Sequence, residues 1–372
     1  MRSLLQPAAA AIAAVLFASG CGGGSSDPPA PPPPAPTPAP TPAPAPAPPP
    51  PGPVTPFSLQ TSVVASTYGT STTVATLRTA TFDEVNRVRN AMGIGRLLQN
   101  ATLDALAQGH ADYLGQNNEV SHSQTPGRPG FTGAQFADRF RASGYIGSAT
   151  ELVTTIRSVQ AGGALEGQLG QCIWGLMNAP YHTNALSSGV RQIGVGIGAF
   201  SQSGSFACVV VVGLPQGATA QLPSQDNPQG VYPYPNQTGV PARFSGESPD
   251  PIPDLSKPRG HFVSARMGSV ETYSSQTRSL PGSAYTVTRF ELKDASGNLL
   301  PVRVIADPEV RAGTGMVLTP DPQNLRLGDY IALLPLSPLI DGQSYNARLD
   351  FVANGTTRTR EWRFTVSDNR NL

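Results

Sequence analysis

An apolar run near the middle of the chain restricts the fold more than any other feature. The run from Phe206 to Gly213 contains four consecutive valines and no charged side chain. A strand without polar alternation is typical of one buried on both faces. A second strand-like run, Gln192 to Ile197, precedes it, and the pattern before both runs is helical. The sequence therefore predicts an α-β-α layered domain, with helices packed on both faces of a sheet.

Two of the predicted helices precede the sheet and have recognisable start signals. Thr81 fits the N-cap of a capping box with Glu84 at N3, and an apolar stripe then continues to Met92. Gly93 suits the left-handed position that follows a helix. Asn100 is a suitable N-cap for the second helix. The predicted apolar face of that helix consists of Leu103, Leu106, Ala107, His110 and Leu114.

Two further helices are predicted between these and the strands. A short helix carries Asp138 and Arg139, which we expect to form a structural ion pair or a cap. The other extends over roughly residues 167–178 and ends before Pro180, because proline cannot continue a helix and restricts the residue before it. This interpretation places His182 at a helix end, just before the first buried strand.

Residues 1–21 have the pattern of an export signal. Arg2 supplies positive charge, the apolar core from Ala8 to Phe17 is too short to cross a bilayer, and small residues precede Cys21. The segment resembles a bacterial lipobox, which implies that Cys21 becomes the lipid-carrying N-terminus and anchors the protein to a membrane. Gly22 after the cysteine implies sorting to the outer membrane. Ordinary signal cleavage without an anchor is the alternative.

Residues 22–57 are predicted to be a linker. From Pro29 to Pro56 the chain consists almost entirely of Pro, Ala and Thr, a composition that cannot bury apolar surface and favours extended polyproline II. At about 3.1 Å per residue, such a spacer reaches up to roughly 90 Å. A Pro-rich docking peptide is the alternative interpretation.

Charge and hydropathy exclude some classes of function. Charged residues make up only 13% of the chain and the formal net charge is +1. No basic run stands out, so the sequence does not predict binding to nucleic acid. No hydrophobic segment after the signal reaches membrane-spanning length.

The cysteines indicate an oxidising compartment. Of the three cysteines, Cys21 is assigned to the lipid, which leaves Cys172 and Cys208 as a pair. A disulfide between them would stabilise the fold by roughly 3 to 4 kcal/mol on the chain-entropy model. Two buried free thiols are the alternative, because the sequence does not fix their geometry.

Several short motifs between residues 81 and 213 resemble, in their order and spacing, the CAP superfamily of cysteine-rich secretory, antigen 5 and pathogenesis-related class 1 proteins. The resemblance implies a CAP domain over residues 58–218, with a cleft that two histidines and one or two glutamates line and that binds a divalent metal in some members. The matching positions are Asn86, Arg89, Ala107, His110, Ser121, His122, Asp138, Arg139, Gly144, Tyr145, Glu151, Pro180, Tyr181, His182 and Ile193 to Gly196.

The resemblance assigns the cleft to His122, Glu151 and His182. The chain departs from the bacterial family pattern at the residues that flank Glu151, at Leu176 where the family has Trp, and at Thr183 where Arg often follows the second histidine. A second cleft glutamate has no obvious match. We therefore expect a CAP-type cleft whose chemistry is reduced or absent.

Two readings of the cleft residues stay open. Two imidazoles and a carboxylate with an open position suit a zinc ion, which would activate water. Alternatively, they form a hydrogen-bonded set that braces the cleft. His110 is predicted to fill a core position. Ser121 and Ser123 flank His122 without a nucleophile-elbow motif, so acyl transfer is disfavoured.

A second domain is predicted after a Pro-rich connector at residues 219–258. Residues 259–372 contain short alternating runs separated by turn signals, which predict an all-β sandwich. The predicted strands are 261–267, 285–292, 299–305, 316–319, 330–334, 345–352 and 358–366. The segment before Tyr345 resembles the tyrosine corner of immunoglobulin-like and fibronectin-III domains, so Tyr345 is read as structural. Trp362 is read as core or sheet surface, with an exposed sugar-stacking aromatic as the alternative.

The predicted protein is of the α+β class: an α-β-α CAP-like sandwich followed by an immunoglobulin-like β-sandwich. Our leading hypothesis is an envelope lipoprotein that binds a small apolar or envelope-derived ligand without turnover. Its partners would be the membrane, through Cys21, and a protein that contacts the C-terminal domain. A metal-dependent hydrolase and a purely structural envelope protein are the competing hypotheses.

Overall fold

The computed structural model describes residues 62–157, 168–201, 203–218, 220–221, 230–244, 246–255, 259–268, 282–325 and 327–367. Residues 55–372 form one compact unit. We call residues 62–221 the first region and residues 230–367 the second region. Cys21, the export signal and the Pro/Ala-rich linker as far as residue 57 lie outside the described residues.

The described part of the first region contains helices on both faces of a four-stranded sheet. Its helices are α1 (Thr73–Ala91), α2 (Ala101–Asn117), α3 (Phe136–Ser143), α4 (Gln171–Met177) and α5 (Pro180–Leu186). Its strands are β1 (Leu98–Gln99), β2 (Gly147–Ile156), β3 (Gln192–Ala199) and β4 (Phe206–Pro215).

The first two helices follow the sequence prediction with one correction. Helix α1 begins about two and a half turns before the predicted start, because the Thr72 hydroxyl accepts a hydrogen bond from the Ala75 N–H at 3.1 Å and serves as the N-cap. Thr81 is instead a buried interior residue of α1. Asn100 caps α2 as predicted, since its side chain accepts from the Leu103 N–H at 3.0 Å.

The prediction of a helix end at Pro180 is wrong in one respect. Helix α4 does end at Met177, but Pro180 is the first residue of a new helix, α5, where its missing N–H would have no partner in any case. His182 therefore lies in the first turn of α5 rather than at the end of a helix.

The strand order of the first sheet is β1-β3-β4-β2, with β4 antiparallel to both of its neighbours. Alternate glycines in β3 face α2 so closely that an added Cβ at Gly196 would lie 2.2 Å from the carbonyl oxygen of Ala107. The residues between these glycines are buried on the opposite face of the sheet, in a hydrophobic core that β3 shares with α1 and α4. The predicted α-β-α layering is confirmed, and the glycines explain how α2 packs so near the sheet.

A disulfide joins helix α4 to the sheet. Cys172 of α4 and Cys208 of β4 are bonded with a Cα–Cα distance of 6.0 Å, and both residues are buried. The predicted pairing is confirmed.

The described part of the second region is built mainly from β-strands, which form three sheets. The strands are β5 (Val231–Tyr232), β6 (Arg243–Phe244), β7 (Arg259–Gly260), β8 (Val263–Arg266), β9 (Tyr285–Lys293), β10 (Val302–Ala306), β11 (Arg311–Ala312), β12 (Thr319–Pro320), β13 (Tyr330–Pro335), β14 (Ser344–Ala353) and β15 (Thr356–Thr365). The larger sheets have the orders β12-β10-β13-β8-β5 and β11-β9-β14-β15, and β6 pairs with β7.

Most of the predicted strands form, and the two larger sheets enclose a common core. The run predicted at residues 316–319 contributes only the two-residue edge strand β12, and Val317 within it is exposed. Tyr345 is buried and its hydroxyl accepts a hydrogen bond from the Ile340 N–H at 2.8 Å, which confirms its structural role. Trp362 is buried in the core, so the exposed-aromatic alternative is wrong.

The five-stranded sheet is covered on both faces. In β13, Ile331 and Leu333 belong to the core shared with the four-stranded sheet, whereas Tyr330 and Leu334 belong to the same core as the helices of the first region. The two regions are therefore joined by a continuous hydrophobic core. Among the described residues, no helix is long and apolar enough to span a membrane.

Candidate functional site

A cavity of about 640 Å³ lies where the two regions meet. All three predicted cleft residues, His122, Glu151 and His182, line it from the first region. The second-region wall consists of Glu247, Ser248, Pro249, Arg266, Leu325, Leu327 and Asp329. The cleft is thus a composite of both regions.

Glu151 lies on β2 at the base of the cavity and is almost completely buried. The Arg139 guanidinium of α3 donates from Nη2 to both carboxylate oxygens at 2.9 Å, and the same nitrogen donates to the His122 carbonyl at 3.0 Å. Arg139 therefore pairs with Glu151 and not with its neighbour Asp138, which corrects the predicted ion pair. Asp138 acts as a cap, since its carboxylate accepts from the Gln135 N–H at 3.1 Å.

His122 extends from the loop between α2 and α3 into the cavity. Its Nδ1 lies 3.1 Å from Glu151 Oε1, and 49% of its side chain is exposed. A carboxylate is only an acceptor, so Nδ1 carries the proton and Nε2 is left as an acceptor in the neutral ring. The pair orients the imidazole while its other nitrogen stays accessible.

His110 has the core role that the sequence predicts. It is fully buried in α2, where Nε2 lies 2.8 Å from the Ser121 carbonyl oxygen and Nδ1 lies 2.9 Å from Gln124 Nε2. Burial lowers the pKa of His110, which keeps the ring neutral. Both nitrogens are therefore used in holding the loop that carries His122.

His182 belongs to a different carboxylate. The N–H groups of Tyr181 and His182, in the first turn of α5, donate to the two oxygens of Glu247 at 2.9 and 3.0 Å. The ring nitrogen His182 Nδ1 lies 3.4 Å from Glu247 Oε1 but outside hydrogen-bond geometry, and it is buried without a hydrogen-bond partner. Glu247 comes from the segment that the sequence analysis assigned to the connector.

The second region also holds the other end of α5. Arg266 of β8 donates to the Ser187 carbonyl at 2.8 Å and to the carbonyl and side-chain oxygens of Asn184. Its remaining nitrogen pairs with Asp329 at 2.6 Å, and both side chains are buried. Tyr181 adds a third link, because its hydroxyl donates to Asp321 at 2.6 Å.

The charges around α5 suit the direction of its helix dipole. Arg89 of α1 adds a second guanidinium at the C-terminus, where it donates to the carbonyls of Leu186 at 2.5 Å and Ser188 at 3.0 Å. Burial, together with the charge of Arg266, lowers the pKa of Arg89 to about 9, so it is still charged at neutral pH. With the Glu247 carboxylate at the opposite end, α5 has a favourable charge at each terminus.

The two cleft carboxylates have opposite pKa shifts. Burial alone raises the pKa of Glu151, but the hydrogen bond from His122 and the charge of Arg139 outweigh it, and the pKa is lowered. Burial raises the pKa of Glu247 to about 7, although the N–H groups of Tyr181 and His182 act against the rise. Glu151 is therefore ionised at neutral pH, whereas Glu247 is close to its midpoint.

His182 is neutral over the same pH range. Burial, together with the smaller effect of the nearby His122, lowers its pKa to about 4. Its contact with Glu247 is therefore not a salt bridge at neutral pH. The charge of Glu151, the partner of His122, is compensated by the guanidinium of Arg139. Glu247, the partner of His182, has no guanidinium or ammonium partner among the described residues.

The predicted zinc ligands do not converge as a set of three. His122 contacts Glu151, both oxygens of Glu151 are occupied by Arg139, and His182 lies beside Glu247 instead. Within the described part of the chain, no group of three His, Cys, Asp or Glu side chains is arranged to hold a metal ion. Carboxylates beside both imidazoles are nevertheless typical outer partners of metal-bound histidines.

Nucleophilic candidates have structural roles. The Ser121 hydroxyl accepts from the Ser123 N–H at 2.9 Å, and the Ser123 hydroxyl bonds Gln135 at 3.3 Å. Cys172 and Cys208 are consumed by the disulfide. Among the described hydrogen bonds, none joins a serine hydroxyl to His122.

Residues 82–212 match the family model described as the cysteine-rich secretory protein family, CAP. The chain contains a CAP domain. The cavity thus lies between this CAP domain and the second region, and Glu247, beyond the matched residues, is a cleft glutamate that the CAP domain itself does not supply.

Two solved structures are similar to part of the chain. An outer surface protein from Borrelia burgdorferi is 19% identical, with 36% of this chain and 90% of that chain covered and a TM-score of 0.28. An extracellular protein containing an SCP domain from Bacillus anthracis is 17% identical, with coverages of 38% and 40% and a TM-score of 0.27. No curated protein matches the chain.

Proposed function

We propose that the protein is an exported, lipid-anchored component of a bacterial envelope that binds a small ligand in the cleft between its CAP domain and second region, without chemical turnover. The observation that carries the proposal is the composite cavity of about 640 Å³, a volume suited to a small molecule. Its polar groups come from both regions. The binding site therefore depends on the hydrophobic core that holds the two regions together.

The states of Glu151 and His182 favour binding over catalysis, and Glu247, whose pKa is raised to about 7, has both oxygens engaged by the N–H groups of Tyr181 and His182. Glu151 is ion-paired with Arg139 and cannot readily accept a proton, and His182 has its pKa lowered to about 4. Neither is matched to proton transfer at neutral pH, where an efficient general base has a pKa near 7. We assign both groups to shaping and polarising the cleft.

A ligand screen tests the binding function. Purified protein would be dialysed against a small-molecule extract of a bacterial envelope, and bound compounds would be identified by mass spectrometry. We expect a compound that the wild type retains and that Ala185→Trp, which fills the cavity wall, does not. The exposed variant Ala142→Trp, outside this cavity, serves as the control. Equal retention by wild type and Ala185→Trp would contradict binding in the cleft.

Anchoring is a separate part of the proposal and rests on the lipobox resemblance at Cys21. We expect the mature protein in the membrane fraction and Cys21→Ala in the soluble envelope fraction. An unchanged distribution would remove the anchor and leave the cleft proposal intact. We also keep the immunoglobulin-like assignment of the second region as part of the proposal, supported by the hydrogen bond between Ile340 and Tyr345.

Zinc binding is a second candidate, favoured by the carboxylate beside each cleft histidine. His122 and His182 would be the protein ligands, and a bound zinc ion would supply activated water. Elemental analysis of zinc-reconstituted protein is the test. Stoichiometric zinc that His182→Ala abolishes would support the candidate, and substoichiometric zinc in the wild type would exclude it.

A further inference from the structure

The charges of the described residues that line the cavity do not cancel. Among the described lining residues, Arg266 is the one guanidinium, and it is paired with Asp329. Arg139, behind the lining, is paired with Glu151. The carboxylate of Glu247 has no guanidinium or ammonium partner among the described residues, and its side chain is only 2% exposed. One acidic group therefore stays without a cationic side chain.

Both histidines that line the cavity have, in their neutral form, a ring nitrogen that can accept a hydrogen bond. His122 donates from Nδ1 to Glu151, so the half-exposed ring offers Nε2 as an acceptor when it is in its neutral form. His182 lines the same cavity and is uncharged at neutral pH. Among the described lining residues, no cation is left unpaired to bind a carboxylate or phosphate of a ligand, whereas a cationic donor would find the Glu247 carboxylate, which has no cationic side chain beside it in this part of the chain.

Part of each wall is apolar. Val212 and Leu214 of β4 form part of one wall, and Leu325 and Leu327 form part of the other. An alkyl or ring body of a ligand would be buried between these walls, since removal of apolar surface from water favours binding at roughly 25 cal/mol per Å².

We propose that the ligand of this cleft is a small organic cation, an amine with an apolar body, and that Glu247 is the residue that selects its charge. This inference rests on the proposed binding function and specifies its ligand class. The buried carboxylate acts on the cation through low-dielectric walls, where charges are screened less than in water. Anionic ligands of the same size are rejected by the same charge.

A matched series of probes tests the selection: hexylamine, hexanol and hexanoate, titrated into the folded, mature protein at pH 8 by calorimetry. We expect hexylamine to bind about fivefold or more tightly than hexanol, and hexanoate to bind most weakly. Glu247→Gln should reduce the preference for hexylamine over hexanol to about twofold or less while hexanol affinity is kept. Glu361→Gln, an exposed carboxylate of β15 paired with Arg348, is the control and should leave the preference unchanged.

The outcomes separate this inference from the proposed function. If hexanol or hexanoate binds as tightly as hexylamine, the charge selection is wrong, but a binding cleft remains. If hexylamine is preferred equally by wild type and Glu247→Gln, another group selects the charge and the role of Glu247 is wrong. If none of the three probes binds and the envelope extract yields no retained compound, both proposals fail. The wild-type series requires no variant, so it decides the charge preference even if Glu247→Gln does not fold.

Discussion

The two carboxylate–histidine pairs of the cleft differ in how their charges are compensated. Glu151 and His122 lie within the CAP domain, and the buried guanidinium of Arg139 fixes the carboxylate in its ionised form. Glu247 and His182 meet across the boundary between the two regions, and backbone N–H groups take the place of a guanidinium. The first arrangement keeps the carboxylate ionised at neutral pH, and the second leaves a charge that depends on pH.

The two regions contribute different groups to the site. The CAP domain supplies the fold, both histidines and one glutamate, all within residues 82–212. The second region supplies the remaining glutamate and the groups that hold α5 at both ends. We conclude that the second region completes the cleft and does more than space the domain from its surroundings.

Removal of the guanidinium from the first pair should have the largest effect. Arg139→Met keeps most of the side-chain volume but leaves Glu151 as a buried carboxylate without its cation, which typically destabilises a protein by about 3 to 5 kcal/mol. Chemical denaturation at pH 7 measures the loss. Arg141→Met, an exposed neighbour on the same helix, is the control and should change stability by about 0.5 kcal/mol or less.

The double variant Arg139→Met/Glu151→Gln makes this test more specific. A neutral amide needs no cation, so the double variant should recover part of the loss. A loss under about 1 kcal/mol for Arg139→Met would mean that the first pair does not depend on its guanidinium.

The second pair should respond to pH with an intermediate effect. Because the pKa of Glu247 is raised from 4.5 to about 7, the folded protein keeps a proton that the unfolded chain loses as the pH rises through this range. Stability from this group is therefore present at low pH and is lost between about pH 4.5 and 7. The stability of the wild type relative to Glu247→Gln should fall by about 1 to 3 kcal/mol from pH 5 to pH 8.

Other groups near Glu247 titrate or carry charge, and the comparison with Glu247→Gln is designed around them. His182 and Tyr181 face it from α5, Asp250 lies on its own segment, and Tyr330 of β13 is within electrostatic range. The lowered pKa of His182 acts in the opposite direction, because stability from the neutral ring is lost as the pH falls below 6.5. This contribution is common to both proteins and largely cancels. A pH-independent difference would contradict the raised pKa of Glu247.

The hydrogen bond between Tyr181 and Asp321 should show the smallest effect. Tyr181→Phe removes the hydroxyl that joins α5 to the second region at 2.6 Å, and Asp321 keeps its bonds to the N–H groups of Gln323 and Leu325. We expect a loss of about 0.5 to 1.5 kcal/mol in thermal or chemical denaturation. Tyr234→Phe, whose partly exposed hydroxyl accepts from Arg87 at 3.1 Å, is the matched control and should change stability less. Because Arg87 and Tyr234 also lie in different regions, equal effects would mean that the bond between Tyr181 and Asp321 contributes no more than this exposed link.

Local signals in the sequence were sufficient for many elements. The cap at Asn100 and the apolar spacing after it predict α2. The unbroken valine run predicts β4 and its burial on both faces. The predicted start of α1 was wrong because Thr72, and not Thr81, is the N-cap. The apolar stripe of the helix also continues towards the N-terminus as far as Leu77, which is fully buried. A signal for the two-sided burial of the five-stranded sheet was present in the unalternated run of β13, from Tyr330 to Leu334.

The sequence by itself determined the helices with clear caps, the alternating strands and the cysteine pair, and it predicted three residues that line the cavity. Only the tertiary structure decided that Arg139 pairs with Glu151 and that Glu247 joins His182, although 65 residues separate the latter two. The reason is physical: caps and side-chain periodicity act between neighbours in the chain, so they can be read from it. The pairing of buried charges depends on which surfaces the hydrophobic core brings together, and here that core belongs to both regions.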